Sequence, residues 1–341
     1  MAMSRMRLLA LALLGLATLP AAAMAQSTVD VVRARGHVLC GGSQGTVGFG
    51  AVDTRGEWQG LDVDTCRAVA AAVLGDGRRA RFIPLSGQQR LIALQSGEVD
   101  VLPRTTTWTL QRDANGVNFT GANYYEFTGV LMRRDTGVTE VTGMKGASVC
   151  VQSGSTTEIT VADASRVHAL ELRPVVYDHT EATRQAFFQG RCDALVTDAA
   201  ALASIRATLA SNPDDYVIFP INDKLEALAP SVRHGDDRWF DIVKWSFQAL
   251  VVAEQLGITQ ANVETMLAST DPTIRRFLGV DRGNGAALGL DERWAYTIVK
   301  QLGNYAEVFE RNVGAGSPLK LVRGHNRLAR DGGLMFPLAF N

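Results

Sequence analysis

Two segments of this chain repeat one pattern, and the repeat constrains the fold more than any other feature of the sequence. Residues 94–102 and 188–195 both close a helical stretch, pass through Gly97 or Gly190, and enter an apolar run that predicts a strand. The two glycines are 93 residues apart, and glycine is the residue that most easily ends a helix in the left-handed conformation. So short a repeat also arises by chance. As a true repeat, it predicts two α/β lobes of similar plan, each with a mainly parallel sheet.

Alternating strands and helices are also predicted around the first repeat. Residues 38–42 have the composition of a short strand, and a glycine-rich turn follows at 42–48. Asp62 or Asp64 can cap the next helix, and another strand is expected near 81–84. The apolar face of that helix is predicted to consist of Val63, Cys66, Ala70 and Val73.

The composition is that of a globular protein and excludes several other classes. The 341 residues include 34 Lys and Arg against 35 Asp and Glu, and 46% of them are hydrophobic. This balance excludes disordered, collagen-like and coiled-coil chains. No apolar run reaches the ~18 residues of a membrane span, and no basic patch is available to neutralise nucleic-acid phosphates. We therefore expect neither membrane insertion nor nucleic-acid binding.

The N-terminal residues have the pattern of a secretory signal peptide. Arg5 and Arg7 precede the apolar run 8–19, and the small-residue motif 23–25 follows. This order predicts a signal peptide over 1–25, with cleavage after Ala25 and export of the remainder. A core helix or membrane anchor is the alternative, but the apolar run is short for a span.

Four cysteines lie beyond the predicted cleavage site. An even number of cysteines in an exported chain predicts two disulfides, and four cysteines allow three pairings. Four free thiols are the alternative. None of the cysteines forms a CxxC motif, so neither a zinc site nor a redox site is expected. The four residues are Cys40, Cys66, Cys150 and Cys192.

Polar residues follow both repeated strands, at the sheet edge where α/β proteins bind ligands. The first strand leads into 104–112, a segment of threonines that ends in Arg112, and the second leads to Asp198. A guanidinium and an aspartate together suit the carboxylate and ammonium of a zwitterion. The turn 153–158 opens a predicted helix whose free amides could hold an anion. Taken singly, Arg112 could be a surface residue, and Asp198 and the turn could merely cap helices.

Several motifs resemble those of a known family. Residues 60–64 are similar to G-F-D-V-D, 93–100 to A-L-x-x-G-x-x-D, and 193–198 to D-A-x-x-x-D. Residues 107–112 match T-x-T-x-E-R except for a glutamine at position 111. The sequence thus resembles the periplasmic solute-binding proteins of ABC transporters for polar amino acids, over residues 28–341. It most resembles the general L-amino-acid-binding proteins, in the stretches 106–110, 146–154, 235–241 and 303–312.

The resemblance implies a two-lobed α/β fold of the periplasmic-binding-protein (Venus flytrap, type II) class with two hinge strands. The implied hinges lie near 127–134 and 224–233. Lobe 1 would comprise 28–130 and 232–341, the latter with a C-terminal extension, and lobe 2 would comprise 135–225. Cys40 and Cys66 would then share lobe 1, and Cys150 and Cys192 would share lobe 2. Bridges within each lobe are therefore expected, since a bridge between lobes would restrain closure.

The resemblance also implies a set of binding residues. Arg112 would hold the α-carboxylate of an amino acid, helped by the Thr107 hydroxyl and the amides around it, and Asp198 would bind its ammonium. Thr105 is a further expected ligand contact. The aromatic clamp of narrow-specificity relatives is replaced here by Thr46 and Gly87, which favours broad or polar specificity. The remaining expected contacts are Ser155, Thr156 and Gln152 from lobe 2, Ser43, Thr46 and Phe49 from the first turn, and the polar wall residues Gln88, Gln89, Arg90 and Arg104.

By resemblance, the function is capture of L-amino acids by lobe closure and delivery to an ABC importer. The expected partners are the L-amino acid and a permease with cytoplasmic ATPases, and the expected form is a periplasmic monomer without metal or cofactor. One alternative is an exported enzyme of the same fold, such as a cyclohexadienyl or arogenate dehydratase, with Glu158 as the candidate general acid. The other is a sensor component that presents its ligand to a receptor.

Overall fold

A computed structural model describes residues 27–340 as a mixed α/β protein. The predicted signal peptide and its cleavage site lie outside these residues. In the described part the strands are β1 Val38–Gly42, β2 Ala51–Val52, β3 Trp58–Gln59, β4 Ala80–Pro84, β5 Val117–Phe119, β6 Tyr124–Arg133, β7 Ser148–Gln152, β8 Arg173–Tyr177, β9 Ala194–Asp198, β10 Tyr216–Leu228 and β11 Ser231–Arg233. The helices are α1 Thr28–Arg35, α2 Leu61–Leu74, α3 Gln89–Ser96, α4 Leu110–Asp113, α5 Thr156–Val167, α6 Thr180–Phe188, α7 Ala199–Leu209, α8 Asp237–Gln255, α9 Val263–Met266, α10 Pro272–Phe277, α11 Asn284–Leu288, α12 Trp294–Leu302 and α13 Tyr305–Asn312.

The second lobe is built on a five-stranded sheet in the order β10-β6-β9-β7-β8. β7 pairs in parallel with both β8 and β9, whereas β6 pairs antiparallel with β9 and β10. The central strand β9 is fully apolar at its start, and Ala194, Leu195 and Val196 are all buried. α5, α6 and α7 pack against this sheet. The predicted parallel sheet is therefore confirmed for β9, β7 and β8, whereas β6 runs antiparallel to both of its neighbours, β9 and β10.

The first lobe is built from the parallel strands β1 and β4 and from the helices α2, α8, α12 and α13. α2 is buried along nearly its whole length, and its predicted apolar face is confirmed by the buried Val63, Cys66, Ala70 and Val73. The core joins residues from both ends of the chain, because α2 packs against α8 and α12. Trp239 and Tyr305, which come late in the sequence, are among its largest fully buried side chains.

The two repeated segments share their helix ends but not their strands. α3 ends at Gly97 (φ 83°) and α6 ends shortly before Gly190 (φ 72°), so both glycines have the expected left-handed backbone. β9 follows the second glycine as predicted. After the first glycine, Val101 pairs in parallel with β1, whereas Leu102 pairs antiparallel with Ser231 in β11. Because the partner and its direction change between neighbouring residues, no continuous strand forms there.

Two long strands connect the lobes. β6 and β10 pair antiparallel along most of their length, with an irregularity between Pro220 and Leu225. The start of β6 belongs to the first lobe, where the Tyr124 ring contacts Phe49 edge-on at 5.0 Å. Further along the same strand, Val130 lies in the core of the second lobe. Each lobe therefore rests on a different part of the same ribbon.

The expected disulfides are confirmed. Cys40 in β1 pairs with Cys66 in α2, with Cα atoms 6.5 Å apart. Cys150 in β7 pairs with Cys192 just before β9, with Cα atoms 5.6 Å apart. Each bridge joins elements of one lobe, and neither crosses between lobes.

The prediction that Asp62 or Asp64 caps α2 is wrong. The helix begins after Gly60, and neither carboxylate makes a capping bond. The Asp62 carboxylate instead accepts the Thr105 amide at 2.8 Å, and Asp64 accepts the Arg311 guanidinium at 2.9 Å. Both carboxylates therefore bond to residues distant in sequence, Asp62 to Thr105 and Asp64 to Arg311 of α13.

The segment after α13 packs against β6, which with β10 forms the two-stranded ribbon that connects the lobes, called the hinge ribbon below. The Asn326 side chain is buried and forms both a donor and an acceptor bond with the backbone of β6. Its Oδ1 accepts the Tyr125 amide at 2.7 Å, and its Nδ2 donates to the Tyr125 carbonyl at 3.0 Å. Nearby, Arg323 forms an ion pair with Glu254 of α8. Within residues 27–340, no helix combines the length and apolar character that crossing a membrane requires.

Candidate ligand-binding site

An interlobe cavity of about 60 Å³ lies where the polar segments of the two lobes meet. Both lobes contribute to its wall, and most of the side chains are hydroxyls, amides or charged groups. Nine of the sequence-predicted contact residues line it: Thr46, Arg90, Arg104, Thr105, Thr107, Gln152, Ser155, Thr156 and Asp198. The other lining residues are Thr157, Thr180, Arg184, Thr197, Ala201 and Ile205.

The lobe 1 wall is a threonine loop fixed by bonds from several directions. Thr105 has a left-handed backbone (φ 34°), and the Asp62 carboxylate accepts its amide at 2.8 Å. The Thr107 hydroxyl donates to a carboxylate oxygen of Glu226, on β10, at 3.0 Å. The same hydroxyl lies 3.4 Å from that of Thr156 in the second lobe. The loop is therefore held by both the α2 start and the hinge ribbon.

The lobe 2 wall includes the start of α5. Ser155 occupies the cap position, but its hydroxyl donates back to the Gln152 carbonyl at 2.6 Å and makes no cap bond. No hydrogen bond within the described part of the chain uses the amides of Thr156 or Thr157. These free amides lie at the N-terminus of α5, the end of the helix dipole that favours anions. Capping alone therefore does not explain this turn.

Asp198 stands at the end of β9 and the start of α7. It occupies the cap position of α7, but its side chain makes no capping bond. Burial raises the pKa of the Asp198 carboxyl to about 7, and Glu226 acts in the same direction, while three nearby arginines oppose the shift. The carboxylate is thus held beside the cavity without a committed hydrogen-bond donor, which suits it to receive a cation.

Five predicted contact residues are absent from the cavity lining: Gln88, Gln89, Arg112, Ser43 and Phe49. Arg112 donates from Nη1 to the Thr107 carbonyl at 2.9 Å, so it supports the threonine loop from outside the cavity lining. The Ser43 hydroxyl bonds to the Gly50 carbonyl and accepts the Thr46 amide, which closes the first turn. Phe49 is buried in the aromatic core of lobe 1, because its ring is more stable there than against water.

Arg184 is the main wall residue that sequence reasoning missed. It lies on α6 and is 6% exposed. Its guanidinium crosses to lobe 1, donating to the Gly45 carbonyl at 3.0 Å and lying 3.5 Å from the Thr46 hydroxyl. A signal was available, because Arg184 shares a helix face with the apolar Phe187 three residues later. An arginine on the apolar face of a helix suggests a buried role.

The lobes also touch beside the cavity. The Gln88 side chain bonds to the Ser153 hydroxyl across the interface. A Cβ atom at Gly87 would lie only 2.8 Å from the Ser153 carbonyl oxygen. The arrangement is therefore closed, and at Gly87 the two backbones approach too closely for a side chain.

Two further carboxylates lie under the site on the hinge ribbon. Glu126 and Glu226 are direct neighbours across β6 and β10. Glu126 accepts the Ala200 amide at 2.8 Å through one oxygen, and burial raises the pKa of its carboxyl well above the usual value. Within residues 27–340, no group of three or more His, Cys, Asp or Glu residues has a metal-binding arrangement.

A polar cavity enclosed between two α/β lobes on a two-stranded ribbon defines the class of two-lobed solute-binding proteins. The chain belongs to the bacterial extracellular solute-binding proteins, family 3, whose family model matches residues 38–261. The predicted family and the predicted two-lobed fold are thereby confirmed.

Similar proteins are known both as sequences and as structures. The general L-amino acid-binding periplasmic protein of Rhizobium johnstonii is 47% identical over 93% of this chain and 93% of its own. The glutamate/glutamine/aspartate/asparagine-binding protein of Rhodobacter capsulatus is 46% identical over 95% and 96%. A solved ABC transporter periplasmic binding protein from Brucella ovis, with glutathione bound, is 46% identical and has a TM-score of 0.90. That alignment covers 92% of this chain and 99% of the Brucella chain.

Proposed function

We propose that this protein is a periplasmic receptor that binds L-amino acids by lobe closure and delivers them to an ABC importer. The observation that carries the proposal is the interlobe cavity, which sets the Asp198 carboxylate against hydroxyls, free amides and guanidinium groups. The names of the two curated relatives, both nearly half identical, support L-amino acids as the ligand class.

The ligand's two charged ends have separate proposed partners. The ammonium binds Asp198, whose carboxylate has no competing cap bond. The α-carboxylate binds the free amides at the start of α5 and the Thr107 hydroxyl, which on binding exchanges its Glu226 acceptor for the ligand. Arg112 supports this end through the Thr107 carbonyl and lies close enough for its charge to act on Asp198. Removing either charged end should therefore weaken binding of any L-amino acid.

Closure of the lobes on the ligand follows from the distribution of the binding groups over both lobes. Thr107 belongs to the first lobe, and Asp198 and α5 belong to the second. A ligand that contacts both stabilises the closed state by its differential affinity for that state. We propose lobes of 28–130 plus 232–341 and of 135–225, with hinges near 127–134 and 224–233. The pairing of β6 with β10 on both sides of the irregularity between Pro220 and Leu225 supports these hinges.

Specificity is proposed to be broad or polar, because Thr46 and Gly87 leave no aromatic clamp in the wall. The closed monomer would dock on a permease whose cytoplasmic ATPases drive import. The predicted signal peptide, cleaved after Ala25, would place it in the periplasm.

An enzyme of the same fold remains the second candidate, although the structure offers it less support. Its candidate general acid, Glu158, accepts the Gly154 amide at 3.0 Å and is absent from the cavity wall. The curated relatives reported above carry the names of binding proteins.

Calorimetry of refolded chain lacking the signal peptide tests the proposal against the L-amino acids, their D-isomers and decarboxylated analogues. We expect heats of binding for several L-amino acids, lost when either charged end is missing. No binding across the panel, or heat that continues as turnover, would contradict the receptor function.

A further inference from the structure

A second, larger cavity lies on the hinge ribbon. Its volume is about 600 Å³, and none of its lining residues also lines the interlobe cavity. The lining comes from three parts of the fold: β6 and β10 of the ribbon, one face of α7, and the segment 321–326 after α13. We call this cavity the hinge groove. The proposed function makes no use of it.

Each side of the hinge groove is fixed to the ribbon by its own contacts. α7 packs against β6 and β10, and Ala199, Ala203 and Arg206 line the groove at the spacing of one helix face. The segment 321–326 is anchored separately, because Asn326 bonds to both backbone groups of Tyr125 in β6. The groove is therefore a consequence of how these elements pack, and its shape does not depend on a single loop.

Much of the lining is apolar and open to water. Val322 is 87% exposed and Leu225 is 43% exposed, and Tyr125 is partly buried. Apolar side chains that share a concave, water-accessible surface indicate a binding site, whereas singly scattered ones do not. The volume of the groove lies within the roughly 300–1,000 Å³ typical of sites for small organic molecules. The groove thus has the size and surface to hold the apolar body of a small ligand.

The charged groups of the groove leave an excess of positive charge. Arg206 lies in α7 and Lys224 in β10, and neither side chain forms an ion pair within the part of the chain that the structure describes. Asp223, which is exposed, supplies one opposing charge. Arg323 also lines the groove, but Glu254 of α8 already balances its charge. Two unpaired cations therefore face one carboxylate.

Glu126 also lines the groove and does little to restore the balance. One oxygen of its carboxyl accepts the Ala200 amide at 2.8 Å, and the other is buried without a partner. Burial raises the pKa of this carboxyl well above its usual value, and the charge of Asp198 acts in the same direction, so the neutral form is favoured. From the segment after α13, the exposed His325 imidazole adds a further positive charge whenever it is protonated.

We propose that the hinge groove is a second ligand site, which binds a small organic anion with an apolar body. The acid group pairs with Arg206 and Lys224, and the body packs against Leu225 and Val322. Partly exposed ion pairs contribute little to affinity, so the apolar body supplies most of the binding free energy and the cations select an anion. This inference does not depend on the amino-acid ligand of the proposed function.

The test uses two fluorescent probes with the same apolar body. Anilinonaphthalene sulfonate carries one sulfonate group, and phenylnaphthylamine is the same molecule without it. Each probe is titrated into refolded chain lacking the signal peptide. The variants Arg206→Glu and Lys224→Glu reverse the two groove charges. Arg191→Glu is the matched control, since Arg191 is an exposed arginine of lobe 2 outside the groove. Thermal unfolding verifies that each variant is folded.

Each exposed charge pair changes affinity by up to about fivefold. We therefore expect wild-type protein and the Arg191→Glu control to bind the sulfonate at least about fivefold more tightly than the uncharged probe. Each groove variant should remove this preference, while its affinity for the uncharged probe changes less.

Three results would overturn the assignment. If wild-type protein binds neither probe, the groove is not a ligand site. If it binds both probes equally, the groove does not select an anion. If the preference for the sulfonate persists in either groove variant, the sulfonate binds elsewhere, for example at the arginines of the interlobe cavity. None of these results bears on the proposed function, which is tested separately with amino acids.

Discussion

Asp198 shows how the position of one carboxylate sets its chemistry. Its backbone starts α7, where an aspartate would ordinarily bond to the helix amides, yet its side chain faces the cavity instead. The Glu226 charge raises the pKa of its carboxyl, and the arginines of lobe 1 lower it. The carboxylate is therefore available to a ligand cation at the cost of being partly desolvated.

Asp198→Asn should weaken binding of every L-amino acid, because it removes the charge that pairs with the shared ammonium. Removing one partner of a buried charge pair costs about 2–5 kcal/mol, so a loss of more than tenfold is expected. Calorimetry against several amino acids measures it. Asp163→Asn is the control, since Asp163 is half exposed on α5 in a surface pair. Near-normal affinity in Asp198→Asn would refute the ammonium contact.

Binding should also depend on pH through the same group. The pKa of Asp198 is raised to about 7 without ligand, and an ammonium beside it favours the charged form and lowers that pKa. Ligand binding therefore releases a proton below about pH 7, so affinity rises with pH by up to about tenfold per unit and levels off above pH 7. Calorimetry at pH 6 in two buffers of different ionisation enthalpy measures the proton release. Proton uptake, or no exchange, would contradict the assignment.

At the scale of elements, the most informative contact is the one between the C-terminal segment and β6. Asn326 supplies both a donor and an acceptor to Tyr125, so this edge of the hinge ribbon is satisfied without another strand. The contact joins positions 201 residues apart in sequence. The C-terminal segment thus restrains the ribbon on which both lobes rest.

Asn326→Ala should destabilise the protein by about 1–3 kcal/mol, because it leaves the partly buried amide and carbonyl of Tyr125 without their partner. Urea unfolding of the unliganded protein measures the change in the free energy of unfolding. His325→Ala is the control, since His325 is an exposed neighbour. Equal stability of the two variants would show that Asn326 does not hold the ribbon.

The same scale shows what the sequence could predict. The ends of α3 and α6 and the buried face of α2 depend on local patterns, and these were predicted correctly. Thr105 and Thr107 were expected in the wall, and both line the cavity. Arg184 was missed because its partners, Gly45 and Thr46, lie in the other lobe, and its place on the apolar face of α6 does not reveal what it contacts. The capping role of Asp62 was wrong because its carboxylate accepts the amide of Thr105, which is distant in sequence but lies in the same lobe. Contacts between lobes are set by closure, which no local pattern encodes.

For the whole molecule, closure depends on a few points where the lobes touch. Arg184 reaches the first turn of lobe 1, Gln88 bonds to Ser153, and Gly87 approaches the same residue through its backbone. The first two contacts use flexible side chains that can adapt. The third allows no additional atom, because the neighbour is a carbonyl oxygen.

Gly87→Val should prevent full closure while leaving both lobes folded. Its Cβ would meet the Ser153 carbonyl at 2.8 Å in the closed arrangement, whereas the separated lobes have room for it. We expect affinity to fall by more than about tenfold, an energy of about 1.4 kcal/mol. Small-angle scattering should show that added amino acid no longer reduces the radius of gyration. Gln88→Ala, which removes a contact without adding bulk, should still close.

The way the chain returns to its first lobe has a consequence for the order of folding. The second lobe's sheet contains only strands from the middle of the sequence, so its core can form from one continuous stretch. The first core cannot be completed until the late helices arrive, as in the bond from the Gly77 amide to the Gln301 side chain, across 224 positions. Closing so long a loop has a large entropic cost before any contact repays it. The first lobe, which contains the start of the described chain, therefore completes its core after the second lobe.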